Sequence, residues 1–171
     1  MVADFNSLSK SELKELMNKN WMTHDAMWFY NCFKELGIEK TNKINKAAVH
    51  DMAVIEIKRI QKALGVGSID TFDKFKSFFN AAMDIATRKF MKYKYIFTDR
   101  NLMQAQWDSC FAYEGMKMLG VSDRYECGIT LRIDTWLNTL GIKFEVEPKA
   151  SGCLMHTDGK CVFNYRFFFD Q

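Results

Sequence analysis

The chain has 171 residues, 48% hydrophobic and 15% aromatic, enough to bury a sizeable core in one domain and too apolar for intrinsic disorder. Its 24 basic and 21 acidic residues are interspersed, for a net charge of +3, with no run of five or six Lys/Arg, which speaks against a nucleic-acid face. Met1 to Ser7 has no basic-then-apolar leader, and no window approaches 18 uninterrupted apolar residues, so the expectation is a cytoplasmic protein without a membrane span.

Ser9-Lys10-Ser11-Glu12 reads as a capping box that opens a first helix. That helix should run to Leu36, with Gly37 as its C′ residue. Leu13, Leu16, Met17, Trp21, Met27 and Trp28 form its apolar stripe, and His24 and Asp25 fall within it. A second helix, from about Asn42 to Leu64, carries Glu56 inside its own stripe. The short connection predicts antiparallel pairing, with His24 and Glu56 at about the same level. A third helix is expected from near Asp70 to Met91, capped by Ser68 or Asp70.

Tyr93–Thr98, the turn residues Asp99-Arg100-Asn101 and the alternating Leu102–Trp107 stretch predict a β-hairpin. Cys110–Leu119 and Cys127–Leu140 read as two shorter helices, each stopped by a glycine. Ile142–Glu147 and Cys161–Phe168 alternate as strands with one wet face. The expected architecture is α+β: three long N-terminal helices, then an antiparallel four-stranded sheet with two further helices packed on one face. It is read as one domain, 1–171, with a helical part at 9–91 and an α/β part at 92–170. The sheet edges and the exposed aromatics near Tyr93 and Tyr95 would suit a homodimer, and a buried hairpin would suit them equally.

Two constellations carry chemistry. Cys110, Cys127, Cys153 and Cys161 are separated by 16, 25 and 7 residues, with no C-x-x-C pair. Four thiolates close a tetrahedral site for zinc or iron. Ordinary buried cysteines or redox chemistry fit the same spacing. Cys110 and Cys127 fall at expected helix N-termini, where the dipole favours thiolate. The second constellation is His24, Asp25 and Glu56, which suits metal binding or general acid–base work. It equally suits a structural network pairing Asp25 with Arg59 and Glu56 with His24. His50 and His156 read as surface residues and Cys32 as core.

Trp21-Met22-Thr23-His24-Asp25-Ala26-Met27-Trp28 resembles the W-x-x-H-D-x-x-W signature of a family of uncharacterised prokaryotic cytosolic proteins. Glu56-Ile57-Lys58-Arg59 resembles its E-x-[KR]-R element, and the four cysteines from Cys110 onward its C-terminal framework. That family is similar to the L-2-amino-thiazoline-4-carboxylic acid hydrolase-like proteins, and distantly to vinyl-reductase-type small-molecule-binding domains. The resemblance implies helices followed by an antiparallel sheet.

The leading expectation is a small-molecule-binding domain whose pocket, between the N-terminal helices and the sheet, uses Trp21, His24, Asp25, Trp28, Glu56 and Arg59 and holds a metal in one version. A hydrolase of a small amide or cyclic amidine is the alternative, with His24, Asp25, Glu56 or Cys110 as catalytic candidates. A protein-interaction module with a structural metal is the third.

Overall fold

The computed structural model of the chain describes residues 4–98 and 101–169. The capping box forms as its residue types dictate: the Ser9 hydroxyl accepts the Glu12 N–H at 3.3 Å, and the Glu12 carboxylate accepts the Ser9 N–H at 2.8 Å. Helix α1 (Lys10–Ala63) follows. It holds the first two expected helices in one element with no intervening loop, interrupted only at Gly37 (φ 75°, ψ 172°). A side chain is strained there, so glycine supplies the break. The second helix therefore starts at once after Gly37 instead of near Asn42, and Thr41, Asn42 and Asn45 are buried within it.

The two arms, residues 10–36 and 38–63, fold back on one another. Arg132 lies 5.2 Å from the Trp21 ring and 2.8 Å from the Glu56 carboxylate. On a straight helix those two residues would stand about 50 Å apart. The first arm is only lightly packed. Leu16, Met17 and Met27 are 50%, 71% and 52% exposed, and Phe29 is the one buried residue described on that arm. The stripe read as core-facing is therefore largely a solvent-facing and cavity-facing surface. The second arm supplies real core through Ala53, Ile57 and Ile60.

Helix α2 (Phe72–Ala86) is the shorter third helix, capped by Thr71, whose hydroxyl accepts the Lys74 N–H at 3.3 Å. The cap is neither Ser68 nor Asp70, because Thr71 is the last extended residue before the helix. A 3-10 turn, Lys89–Met91, leads into β1 (Tyr93–Thr98) and β2 (Leu102–Trp107), which pair antiparallel. Of the expected turn between them, Asp99 and Arg100 lie outside the described residues. Helices α3 (Phe111–Met118) and α4 (Gly128–Thr139), strand β3 (Lys143–Glu147), the single turn α5 (Leu154–Thr157) and β4 (Cys161–Phe168) complete the chain.

The antiparallel sheet has the order β1-β2-β4-β3. Period-two alternation sends Cys161, Phe163, Tyr165 and Phe167 inward, while Asn164, Arg166 and Phe168 face solvent. Helices α2 and α4 cover the inward face: the Phe75 ring packs tilted 4.5 Å from that of Phe167, and the Tyr165 hydroxyl donates to Asp134 at 3.0 Å. Tyr93 and Tyr95 pack on this core and are not exposed. The fold is α+β, and none of its described helices is long and apolar enough to cross a membrane.

Candidate functional site

Because the first arm is held away from the core, a cavity of about 360 Å³ opens between both arms of α1, the end of α2, the sheet and α4. Trp21, Met22, Asp25 and Trp28 line it from the first arm, and Asn45, Val49 and Met52 from the second. Met83, Ala86, Met91 and Trp107 close its far end, each no more than 6% exposed. His24, Asp25 and Trp28 are exposed and form its rim. The volume suits a small organic molecule.

Tyr93 reaches the cavity from β1, its ring 4.5 Å from that of Trp107. Its hydroxyl is buried without a hydrogen-bond partner. Burial pushes its pKa far above the usual tyrosine value, so the hydroxyl keeps its proton. A buried polar atom without a partner costs free energy unless something else satisfies it.

On the opposite wall, Arg132 of α4 is clamped. Its Nε and Nη2 donate to Glu56 at 2.8 and 2.5 Å, and Trp136 Nε1 donates to the same carboxylate at 3.1 Å. The guanidinium also lies 5.2 Å from the ring centres of Trp21 and Trp136. Glu56 thus stands behind Arg132 and is paired with it, not with His24. Asp25 is near Arg132 instead of Arg59, which is exposed. Desolvation raises the Asp25 pKa, and the nearby His24 and Arg132 oppose the rise. Tyr93, Arg132 and Trp136 line the cavity and were not among the candidates read from the sequence. The signal was there: Arg132 sits in the apolar stripe Ile129, Ile133, Trp136, the same anomaly that marks Glu56.

The four cysteines converge next door. Cys110, Cys127, Cys153 and Cys161 line one small cavity of about 10 Å³, and all are free thiols. Cys110, Cys127 and Cys153 are the N-cap residues of α3, α4 and α5, and Cys161 opens β4. Burial raises the Cys110 thiol, with the backbone N–H groups of Tyr113 and Ala112 partly offsetting it. Burial also raises Cys127, against the backbone N–H groups of Thr130 and Ile129. Cys161 is pushed up to about 12 by burial and by the charges its three neighbouring thiols would carry. Among the described residues, no three His, Cys, Asp or Glu side chains already stand in metal-ligating geometry. Trp107, Tyr125 and Ile129 line both cavities and form the wall between them.

The wall is tied to α1. Asn42 is 2% exposed, donates to the Arg124 carbonyl at 2.7 Å and accepts the Glu126 N–H at 3.3 Å. It holds the segment that presents Cys127. Gly128 then packs so closely that an added Cβ would lie 3.2 Å from Val49 and 3.3 Å from Asn45. His50 and His156 are exposed, and Cys32 is half-buried.

Residues 6–88 match the model of a family of unknown function (DUF6125). The match supports an uncharacterised family. It spans α1 and α2, with Trp21, His24, Asp25, Trp28 and Glu56, and stops short of the four cysteines. No curated protein and no solved structure matches the chain.

Proposed function

We propose that this chain is a small-molecule-binding domain: the aromatic cavity takes an organic ligand, and the adjoining four-cysteine cavity holds one metal ion, zinc or iron. The observation that carries the reading is the cavity itself, about 360 Å³ and walled by Trp107, Met83 and Ala86, with Tyr93 in its lining and the Tyr93 hydroxyl buried without a partner. A bound ligand supplies the missing partner, and its apolar body replaces water on the Met and Trp surfaces.

The metal rests on the donor set. Four thiols around a space of about 10 Å³ suit one ion and not a cluster of several metal atoms, since a single water needs roughly that volume. A cation there would also offset the burial that raises the thiols. In this reading the metal pins the N-termini of α3 and α4 and so shapes the cavity wall.

A hydrolase akin to the L-2-amino-thiazoline-4-carboxylic acid hydrolase-like proteins is the less supported version. His24 and Asp25 at the rim would have to activate water there. Cys110 belongs to the small cavity, and burial keeps its thiol protonated, so it is a poor nucleophile.

The test uses the neutral dye 1-N-phenylnaphthylamine. Saturable one-to-one binding is expected for the protein as it stands. Ala48→Trp should abolish it without lowering stability, because Ala48 lines the cavity yet is exposed on its helix. Binding that survives Ala48→Trp would place the dye elsewhere and remove the basis for the reading.

A further inference from the structure

We propose that the ligand of the aromatic cavity is a flat organic cation, with a protonated nitrogen at the rim beside Asp25 and a hydrogen-bond acceptor at the closed end for the Tyr93 hydroxyl. The inference rests on the small-molecule reading above and deepens it.

The charges at the cavity do not balance. Arg132 is the cation of the wall, and Glu56 takes it in a pair whose side chains are 17% and 20% exposed. Asp25 is left over. It lines the cavity, and no hydrogen bond to its carboxylate is formed among the described residues, while desolvation raises its pKa. A partly desolvated carboxylate without a hydrogen-bond partner attracts positive charge. His24 and Arg132 oppose that penalty without hydrogen-bonding the carboxylate.

The flanking rings favour the same charge. Trp21 and Trp28 lie one turn to either side of Asp25 on the helix and line the same cavity. The Trp21 ring already carries Arg132 at 5.2 Å. The Trp28 ring has no cation over it among the described residues. An ammonium between Asp25 and Trp28 gains both the ion pair and the ring face. An anion at that rim meets a carboxylate instead.

The closed end asks for something different. Met83, Ala86, Met91 and Trp107 offer no charge; Tyr93 lines the cavity with them, and its hydroxyl is buried and unpartnered, so a ligand acceptor reaches it once a neighbouring side chain gives way. As a protonated phenol it donates, so its complement is an ether or carbonyl oxygen on the ligand. Between the two ends the walls are indole, phenol and thioether surface, which suits a planar aromatic body. A purely apolar molecule would leave both Asp25 and Tyr93 without partners.

The experiment is calorimetric titration of the full chain with three probes of one shape: 5-methoxytryptamine, neutral 5-methoxy-3-methylindole and anionic 5-methoxyindole-3-acetate. The cation should bind at least about tenfold tighter than the anion and about fivefold tighter than the neutral probe, as an ion pair with a ring contact allows. Asp25→Asn, at an exposed position that should not affect folding, is expected to erase both preferences. Tyr93→Phe should weaken 5-methoxytryptamine about fivefold, the worth of one hydrogen bond, and leave tryptamine, which lacks the methoxy oxygen, within about twofold. Equal or tighter binding of the anion, or preferences unchanged in Asp25→Asn, overturns the cation. A Tyr93→Phe variant that weakens neither probe overturns the acceptor and leaves water as the partner of the hydroxyl. If phenylnaphthylamine binds while the three indoles bind alike, the ligand class is wrong and the cavity reading stands. If neither dye nor indoles bind, both fall together.

Discussion

Removing the Glu56 carboxylate measures how firmly the cavity wall is built. Glu56 and Arg132 are 20% and 17% exposed, and two N–H groups of Arg132 and one of Trp136 converge on the carboxylate. Truncating one partner of a fully buried ion pair costs about 3–5 kcal/mol, because the other charge is left unpaired. The residual exposure lets water reach the freed guanidinium, so Glu56→Ala is expected to cost about 2–4 kcal/mol. For a chain of this length that is roughly 6–12 °C in Tm. Glu56→Gln keeps an acceptor for Trp136 and should cost about half as much. Urea unfolding gives the value, and a double-mutant cycle with Arg132→Met separates the pair from its surroundings. The double variant relieves the stranded charge, so the coupling should be about 1–3 kcal/mol. A loss below about 0.5 kcal/mol, or strict additivity, would show the pair behaving as an exposed one and would refute a built wall.

Gly37→Ala should destabilise by about 1–3 kcal/mol from backbone strain alone, since an added Cβ meets nothing within 4 Å; chemical denaturation reads it directly. Asn42→Ala strips two backbone partners from the 124–126 segment and should cost about 2–3 kcal/mol, with faster hydrogen exchange at Glu126. Asp134 is raised by burial despite the Tyr165 hydrogen bond. Its contribution is therefore fully present below the ordinary carboxylate pKa and is lost as pH rises through the raised one. Asp134→Asn should accordingly raise Tm at pH 7, with the gain disappearing in acid; a gain equally large in acid would contradict the assignment. Cobalt(II) added to reduced, metal-free protein should saturate at one equivalent with tetrahedral thiolate absorption, and Cys161→Ser should weaken that uptake. Unsaturable uptake would return the cysteines to the core.

The local features were the most legible. Ser9 and Glu12 cap α1 because the motif needs no distant partner. Cys161 to Phe168 alternates and is a strand over the same residues. What depended on tertiary partners was not legible. Periodicity identified the stripe holding His24 and Asp25, but a stripe does not say what it faces, and here it faces a cavity rim and solvent. Glu56 was recognised as a polar residue needing a partner, yet the partner lies 76 residues away on α4. Gly37 was recognised as a helix stop. Its ψ of 172° with no loop behind it, which makes the two arms one element, has no sequence signature. The cysteines were selected by type, by spacing and by the expected helix N-termini at Cys110 and Cys127, and the small cavity they line takes shape when α3, α4, α5 and β4 are assembled.

The most direct measurement is a crystal structure of the protein soaked in 5-bromoindole, with bromine located by its anomalous signal. One bromine peak inside the cavity walled by Met83, Tyr93 and Trp107 is the result expected of a small-molecule-binding domain. A cavity closed by rearranged side chains, or bromine found only on the exposed face of the first arm, would contradict it.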